Sequence, residues 1–175
     1  MRFGETIPLT AQDILEFDAY CAERNIELVP SVATFGHLYK VLRTKTFHEL
    51  SEVEEAEGTA FSFYERMCHH TLNSTDDRAY ELVCRLIDEY SPLFRSNLFN
   101  INCDETFDLG RGRGKERAGE IGSHVMYVQW VNRVCEHVKA IGKRPMFWGD
   151  IIAAHPEAIK ELPEDVICMT WDYSP

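Results

Sequence analysis

The residues of this chain best suited to chemistry are Asp104 and Glu105, adjacent carboxylates that close the largely apolar run Leu98-Phe99-Asn100-Ile101-Asn102-Cys103. Such a run reads as a buried strand of an α/β protein, and active sites are built where strands of this kind end. Two carboxyl groups in one cleft raise each other's pKa, so one holds a proton while the other stays ionised. A carboxyl that keeps its proton near neutral pH is what general acid catalysis requires. An isolated Asp-Glu pair ordinarily opens a solvated loop, but three other segments argue against that here. Phe35-Gly36-His37 follows one apolar stretch, Trp148-Gly149-Asp150 ends another, and Trp171-Asp172-Tyr173 ends a third. Tryptophan faces stack on the apolar C–H faces of sugar rings, and carboxylates grip sugar hydroxyls through charged hydrogen bonds. Taken singly, Trp148 and Trp171 suit a core, His37 a structural hydrogen bond, and Asp150 and Asp172 helix caps or solvated acids. Their joint occurrence at strand ends composes a carbohydrate site.

The elements that must position these residues alternate along the chain. Thr10 and Asp13 form a capping box for a helix to about Arg24, with Ile14, Phe17 and Cys21 at helical spacing. Residues 26–30 read as a short buried strand, short helical pieces fill 37–43 and 46–51, and a surface loop broken by Gly58 runs to about Asn73. Ser74 or Thr75 caps a helix to about Tyr90, with Tyr80, Val83, Ile87 and Tyr90 on one face, and Pro92 ends it. A second strand covers 98–102. Beyond the Gly110-Arg111-Gly112-Arg113-Gly114 loop, one long helix runs from about Gly119 to Ala140 and stops at Gly142. A third strand covers 145–148, Pro156 opens a short helix to about Leu162, and a fourth strand covers 166–170. Helices alternating with strands imply parallel βαβ units in a single α/β domain over 1–175, with every strand C-terminus on one face.

Bulk properties narrow the partners. At 175 residues, 45% hydrophobic and 27% charged, the chain suits one soluble domain with a sizeable core. A net charge of -11 argues against a nucleic-acid partner, because phosphate binding needs a basic face. No G-x-G-x-x-G follows a strand, and the Gly/Arg loop has the wrong spacing and stands beside carboxylates, so no dinucleotide cofactor is expected. Six cysteines without C-x-x-C spacing read as reduced thiols of a cytoplasmic protein. Residues 1–10 lack the apolar core of a signal peptide, and no stretch approaches the roughly 18 apolar residues of a membrane span. His69-His70 is assigned to the surface loop, since adjacent histidines make poor joint metal ligands. Glu52, Glu54, Glu55 and Glu57 are assigned to a solvated face.

The segments IELVPSVATFGHLYKVL, FNINCDETFDLGRGRGK, PMFWGDII and TWDY resemble the catalytic domain of glycoside hydrolase family 20, over nearly the whole chain from about Leu9 to Tyr173. The resemblance implies a β-N-acetylhexosaminidase with a (β/α)8 TIM barrel, acting on an N-acetylhexosaminide by a retaining, substrate-assisted mechanism without a cofactor or metal. In that mechanism the substrate's own acetamido oxygen attacks the anomeric carbon, which sets the family apart from the two-carboxylate glycosidases. By the same resemblance Glu105 is the general acid/base, Asp104 orients the acetamide and stabilises the developing positive charge, and His37 partners the acid. Trp148 and Trp171 wall the pocket, and Asp150 and Tyr173 contact hydroxyls or the acetamide. A full barrel takes about 250 residues. The four strands here match family strands three to six, and the family's first-strand arginine has no counterpart, so a partial barrel is expected. Its open edges favour self-association. Two other readings stay open: a magnesium enzyme using Asp104 or Glu105, Asp150 and Asp172, and a non-catalytic sugar-binding module. No lysine base stands at a matching strand end, and tryptophans suit a magnesium site poorly.

Overall fold

The structure, a computed structural model, describes residues 8–54 and 60–173. Residues 1–7, Glu55, Glu57 and Gly58, on which parts of the sequence reading fall, lie outside the described residues. The first helix, α1 (Ala11–Ala22), opens with the expected capping box: Thr10 Oγ accepts from the Asp13 N–H at 3.2 Å, and Asp13 Oδ2 accepts from the Thr10 N–H at 2.8 Å. Its inward face departs from the apolar spacing. Phe17 is 52% exposed, whereas Asp18 is buried and pairs with Arg95 at 3.4 Å. The helix packs on the turn at 91–93 rather than on the broad face of the sheet, so only a narrow strip around Asp18 and Cys21 is covered.

Three parallel strands form the sheet: β1 (Leu98–Asn100), β2 (Arg144–Trp148) and β3 (Ile167–Met169), in that order. Asn100 lies opposite Met146, and Trp148 opposite Met169. The strand expected over 26–30 is reduced to a parallel bridge between Ser31 and Asn100, with Asn100 N–H to Pro30 O at 2.9 Å and Val32 N–H to Asn100 O at 3.0 Å. Pro30 has no N–H to continue that ladder upstream. β1 is shorter than the expected 98–102 because Asn102 and Cys103 turn into the left-handed region, with φ of 58° and 66°.

α2 (Tyr39–Leu42) is a single turn. α3 (Asp77–Tyr90) is capped by Asp76, one residue beyond the expected Ser74 or Thr75, because the Asn73 side chain takes the Thr75 N–H and hydroxyl instead. The long helix expected over 119–140 is two, α4 (Lys115–Ile121) and α5 (Ser123–Ala140), parted at Gly122. There φ is +89°, which only glycine adopts at low cost. α5 ends before Gly142, as expected, and α6 (Asp150–Ala154) and a 3-10 turn at Pro156–Glu161 lead to β3. The core joins Phe99, Ile101 and Phe147 of the sheet side to Val131, Val134 and Val138 of α5 and to Val83 and Ile87 of α3. Phe35 is fully buried, stacked on Trp130 and Tyr127 with ring centroids 4.9 and 5.9 Å away. No helix among the described residues is long and apolar enough to cross a membrane.

Candidate active site

The chain leaves β1 through a run of unusual backbone. Asn102, Cys103 and Glu105 have positive φ, and so does His37 (61°), which faces them from the 31–37 loop. Each such residue costs about 1–3 kcal/mol, so the surroundings must over-determine it. They do so by hydrogen bonds. Asn102 O accepts from the Trp148 N–H at 2.9 Å and its Oδ1 from Ser31 Oγ at 2.9 Å. Buried Cys103 lies 3.3 Å from Thr34 Oγ, which itself donates to Ile101 O at 2.7 Å. Glu105 (φ 52°) is held from both sides of its peptide: its N–H donates to Asp150 Oδ2 at 3.0 Å, and its carbonyl accepts from His70 Nε2 at 2.7 Å. Gly36 is needed because a Cβ there would stand 2.3 Å from Asp104 O. The Phe-Gly-His motif is therefore a buried aromatic anchor, a close backbone crossing and a polar tip.

That tip touches both acids. His37 Nε2 lies 3.0 Å from Asp104 Oδ2 and 3.3 Å from Glu105 Oε2. The hydrogen bond to Asp104 raises the His37 pKa above the usual imidazole value despite partial burial, and the charges of Asp104, Glu105 and Asp150 add to the effect. The Glu105 pKa is raised as well, chiefly by burial, with Asp104 and Asp150 adding and His37 opposing. Burial also raises Asp150, against the Glu105 N–H that favours its ionised form. Burial lowers His70, leaving a neutral ring whose Nε2–H donates to the Glu105 carbonyl. The His70 ring meets the His37 ring edge-on, 4.9 Å between centroids.

His70 and Glu52 overturn two sequence expectations. His70 is 2% exposed, not on a surface loop; its N–H and that of Thr71 donate to the buried Asp108 carboxylate at 3.0 and 3.1 Å, and the Thr71 hydroxyl donates to the same group. Glu52 is fully buried, not solvated, and one of its oxygens accepts the N–H groups of Gly110, Gly112 and Gly114 at 3.0–3.1 Å. The alternating glycines thus form an anion nest around a carboxylate of the same chain. Burial raises the Glu52 pKa, opposed by those amides. Glu54, as expected, is exposed, 3.5 Å from Arg113. The signal for Glu52 was present in the Gly-x-Gly-x-Gly spacing, which leaves amides in need of an anion where no phosphate is expected.

The structure therefore brings His37, Asp104, Glu105 and Asp150 together. Trp148 is half-buried two residues before Asp150, its carbonyl 3.4 Å from Tyr127 Oη. Trp171 and Tyr173 follow β3 at the same end of the sheet, 40% and 91% exposed, with ring centroids 5.4 Å apart. Among the described residues no three His, Cys, Asp or Glu side chains group so as to hold a metal ion, and the acids of the magnesium reading form no such group. The arrangement sets a carboxyl whose pKa burial raises beside an imidazole, 3.3 Å away, that is itself hydrogen-bonded to a second carboxyl at 3.0 Å, a geometry able to pass a proton.

The chain matches the family profile described as glycosyl hydrolase family 20, catalytic domain, over residues 5–175. It is 30% identical over 158 residues to hexosaminidase D of Homo sapiens, covering 85% of this chain and 30% of that protein. It is 27% identical over 157 residues to hexosaminidase D of Bos taurus, covering 85% and 42%. Among solved structures it resembles Flavobacterium johnsoniae chitobiase, with a TM-score of 0.75 at 23% identity, over 94% of this chain and 24% of that one. The chain thus spans less than half the length of the curated relatives it matches. A profile match running from residue 5 to residue 175, with the strand-end acids inside it, makes this chain a member of glycosyl hydrolase family 20.

Proposed function

We propose that the protein is a retaining β-N-acetylhexosaminidase that removes terminal N-acetylhexosamine by substrate-assisted catalysis. In this reading Glu105 gives its proton to the glycosidic oxygen as that oxygen leaves the anomeric carbon, and the substrate's acetamido oxygen bonds to the same carbon. Asp104 holds the acetamide N–H and balances the positive charge of the resulting oxazolinium. Water then attacks the anomeric carbon, Glu105 takes its proton, and the acetamide is restored with the original configuration. The observation that carries the reading is the raised Glu105 carboxyl within reach of His37, itself hydrogen-bonded to Asp104. A carboxyl pushed upward by burial keeps the proton that a general acid must deliver.

Trp148 and Trp171 would flank the sugar and its acetamide, with Tyr173 reaching a hydroxyl. Asp150 has one oxygen engaged by the Glu105 N–H, and its other oxygen, buried and unpartnered, suits a substrate hydroxyl or acetamide. The chain forms part of a (β/α)8 barrel, its strands three to six. The three parallel strands and the Pro30–Val32 bridge beside β1, all in chain order, support that placement. The open sheet edges lead to self-association. Glu105→Gln tests the chemistry, because it keeps the shape and removes the transferable proton. Turnover of 4-methylumbelliferyl N-acetyl-β-glucosaminide and galactosaminide should fall about a hundredfold, the lower end for one positioned acid because an aryl leaving group needs less protonation. Full activity in that variant would exclude Glu105 as the acid.

A further inference from the structure

Resting on the glycosidase reading, we propose that the leaving-group side of the site is built for an acidic aglycone, a flat-faced group carrying a carboxylate or sulfate. An open cleft of about 860 Å3 starts at Glu105 and His37 and extends over residues 38–41, Phe63, Tyr64 and residues 66–68 to Phe107 and Arg111. Asp104, Trp148, Asp150 and Trp171, the residues assigned to the sugar and its acetamide, do not line it. A general acid faces the oxygen it protonates. The space that Glu105 lines away from Asp104 is therefore where the departing group lies.

The walls of that cleft combine two features. Phe63 and Tyr64 are each 82% exposed and Phe107 43%, an aromatic surface left open beside the acid. Such faces stack on the apolar side of a ring. The turn that carries Phe63 and Tyr64 is tied down: the Phe61 N–H donates to Tyr39 Oη at 3.2 Å, Phe61 stacks on His69 at 3.8 Å, and Arg66 Nε donates to Phe61 O at 3.2 Å. The second feature is charge. Lys40, Arg66 and Arg111 line the cleft, and Glu105 is the only acid among its described lining residues. The chain as a whole carries 29 acidic against 18 basic side chains, so this cleft reverses the sign of its surroundings. A positive cleft on an acidic protein draws in and holds an anion.

The test compares two fluorogenic N-acetyl-β-hexosaminides in the purified protein, in both gluco and galacto forms, with leaving groups 4-methylumbelliferone (neutral) and 3-carboxyumbelliferone (anionic). The readout is the ratio of kcat/KM for the anionic over the neutral substrate, so intrinsic leaving-group reactivity cancels when proteins or salts are compared. Raising the ionic strength from about 0.01 M to about 1 M should lower the ratio severalfold, since exposed charges are screened. Lys40→Gln combined with Arg111→Gln should lower it about fivefold, the scale of two exposed ion contacts. Phe63→Ala with Tyr64→Ala should raise KM for both substrates. A ratio indifferent to salt and to the double charge variant, with the neutral substrate still cleaved, would overturn the acidic-aglycone inference and leave the glycosidase reading intact. No cleavage of either substrate by folded protein would overturn both.

Discussion

Glu105, the proposed general acid, illustrates how much of a side chain's placement is decided by groups that never touch its carboxyl. Its φ is 52° and its carboxyl lies 3.3 Å from His37, and the backbone is held by Asp150 on the amide and His70 on the carbonyl. Asp150 also contributes a negative charge that helps raise the Glu105 pKa, after burial and Asp104. The general acid works only while protonated, so activity declines as pH rises through its pKa, and a raised pKa carries activity to higher pH. Asp150→Asn keeps an acceptor for the Glu105 N–H but removes the charge. The alkaline limb of kcat/KM should therefore move to lower pH, as a pH–rate profile would record; a limb that stays or moves upward contradicts the assignment. His70→Ala removes the donor to the Glu105 carbonyl and the ring against His37. A drop in kcat of roughly tenfold or more, larger than any change in KM, is expected from loosened alignment. Steady-state kinetics with both configurations of substrate would measure it.

At the scale of elements, the loop 105–114 is stitched to the 50–72 region by two buried carboxylates. Asp108 takes the amides of His70 and Thr71, and Glu52 takes those of Gly110, Gly112 and Gly114, while the Glu52 N–H donates to Thr71 O at 2.9 Å. Losing the acceptor for three amides, one buried and two half-buried, costs more than losing the charge. Glu52→Ala should destabilise the protein by about 3 kcal/mol, and Glu52→Gln by markedly less, because an amide oxygen still accepts the bonds. Urea unfolding monitored by tryptophan fluorescence distinguishes these outcomes, and equal losses in the two variants would show that the nest is not what matters. The charges next to Glu52 in the chain concealed this role, although the spacing of the glycines pointed to it. Glu52 sits in an acidic run with Glu54, Glu55 and Glu57, and local charge patterning alone assigns such a run to water. Likewise the helix expected over 119–140 is broken at Gly122, where the backbone takes a positive φ between α4 and α5.

For the whole molecule, the parallel sheet ends at β3, which pairs only with β2 among the described residues, and α1 leaves Leu15 and Phe17 exposed. Open strand edges and exposed apolar side chains both promote association. Sedimentation equilibrium should accordingly show concentration-dependent species heavier than the 20.2 kDa chain. A single 20.2 kDa species throughout the micromolar range would rule that out.

The α/β alternation, the capping box at Thr10 and Asp13, the stop near Gly142 and the acids at the strand ends were all legible in the sequence, because each depends on residues close together in the chain. The contacts that hold them were not. His70 meets Glu105 across 35 positions, Asp150 across 45, and Glu52 reaches Gly114 across 62. Side-chain periodicity carries no record of such closures or of positive φ. Sequence alone therefore named Asp104 and Glu105 as the chemistry, with His37, Trp148, Asp150, Trp171 and Tyr173 around them. Only the tertiary structure decided that Asp150 and His70 grip the Glu105 backbone and that Glu52 is buried, because burial and hydrogen-bond partners are set by which distant segments the core brings together.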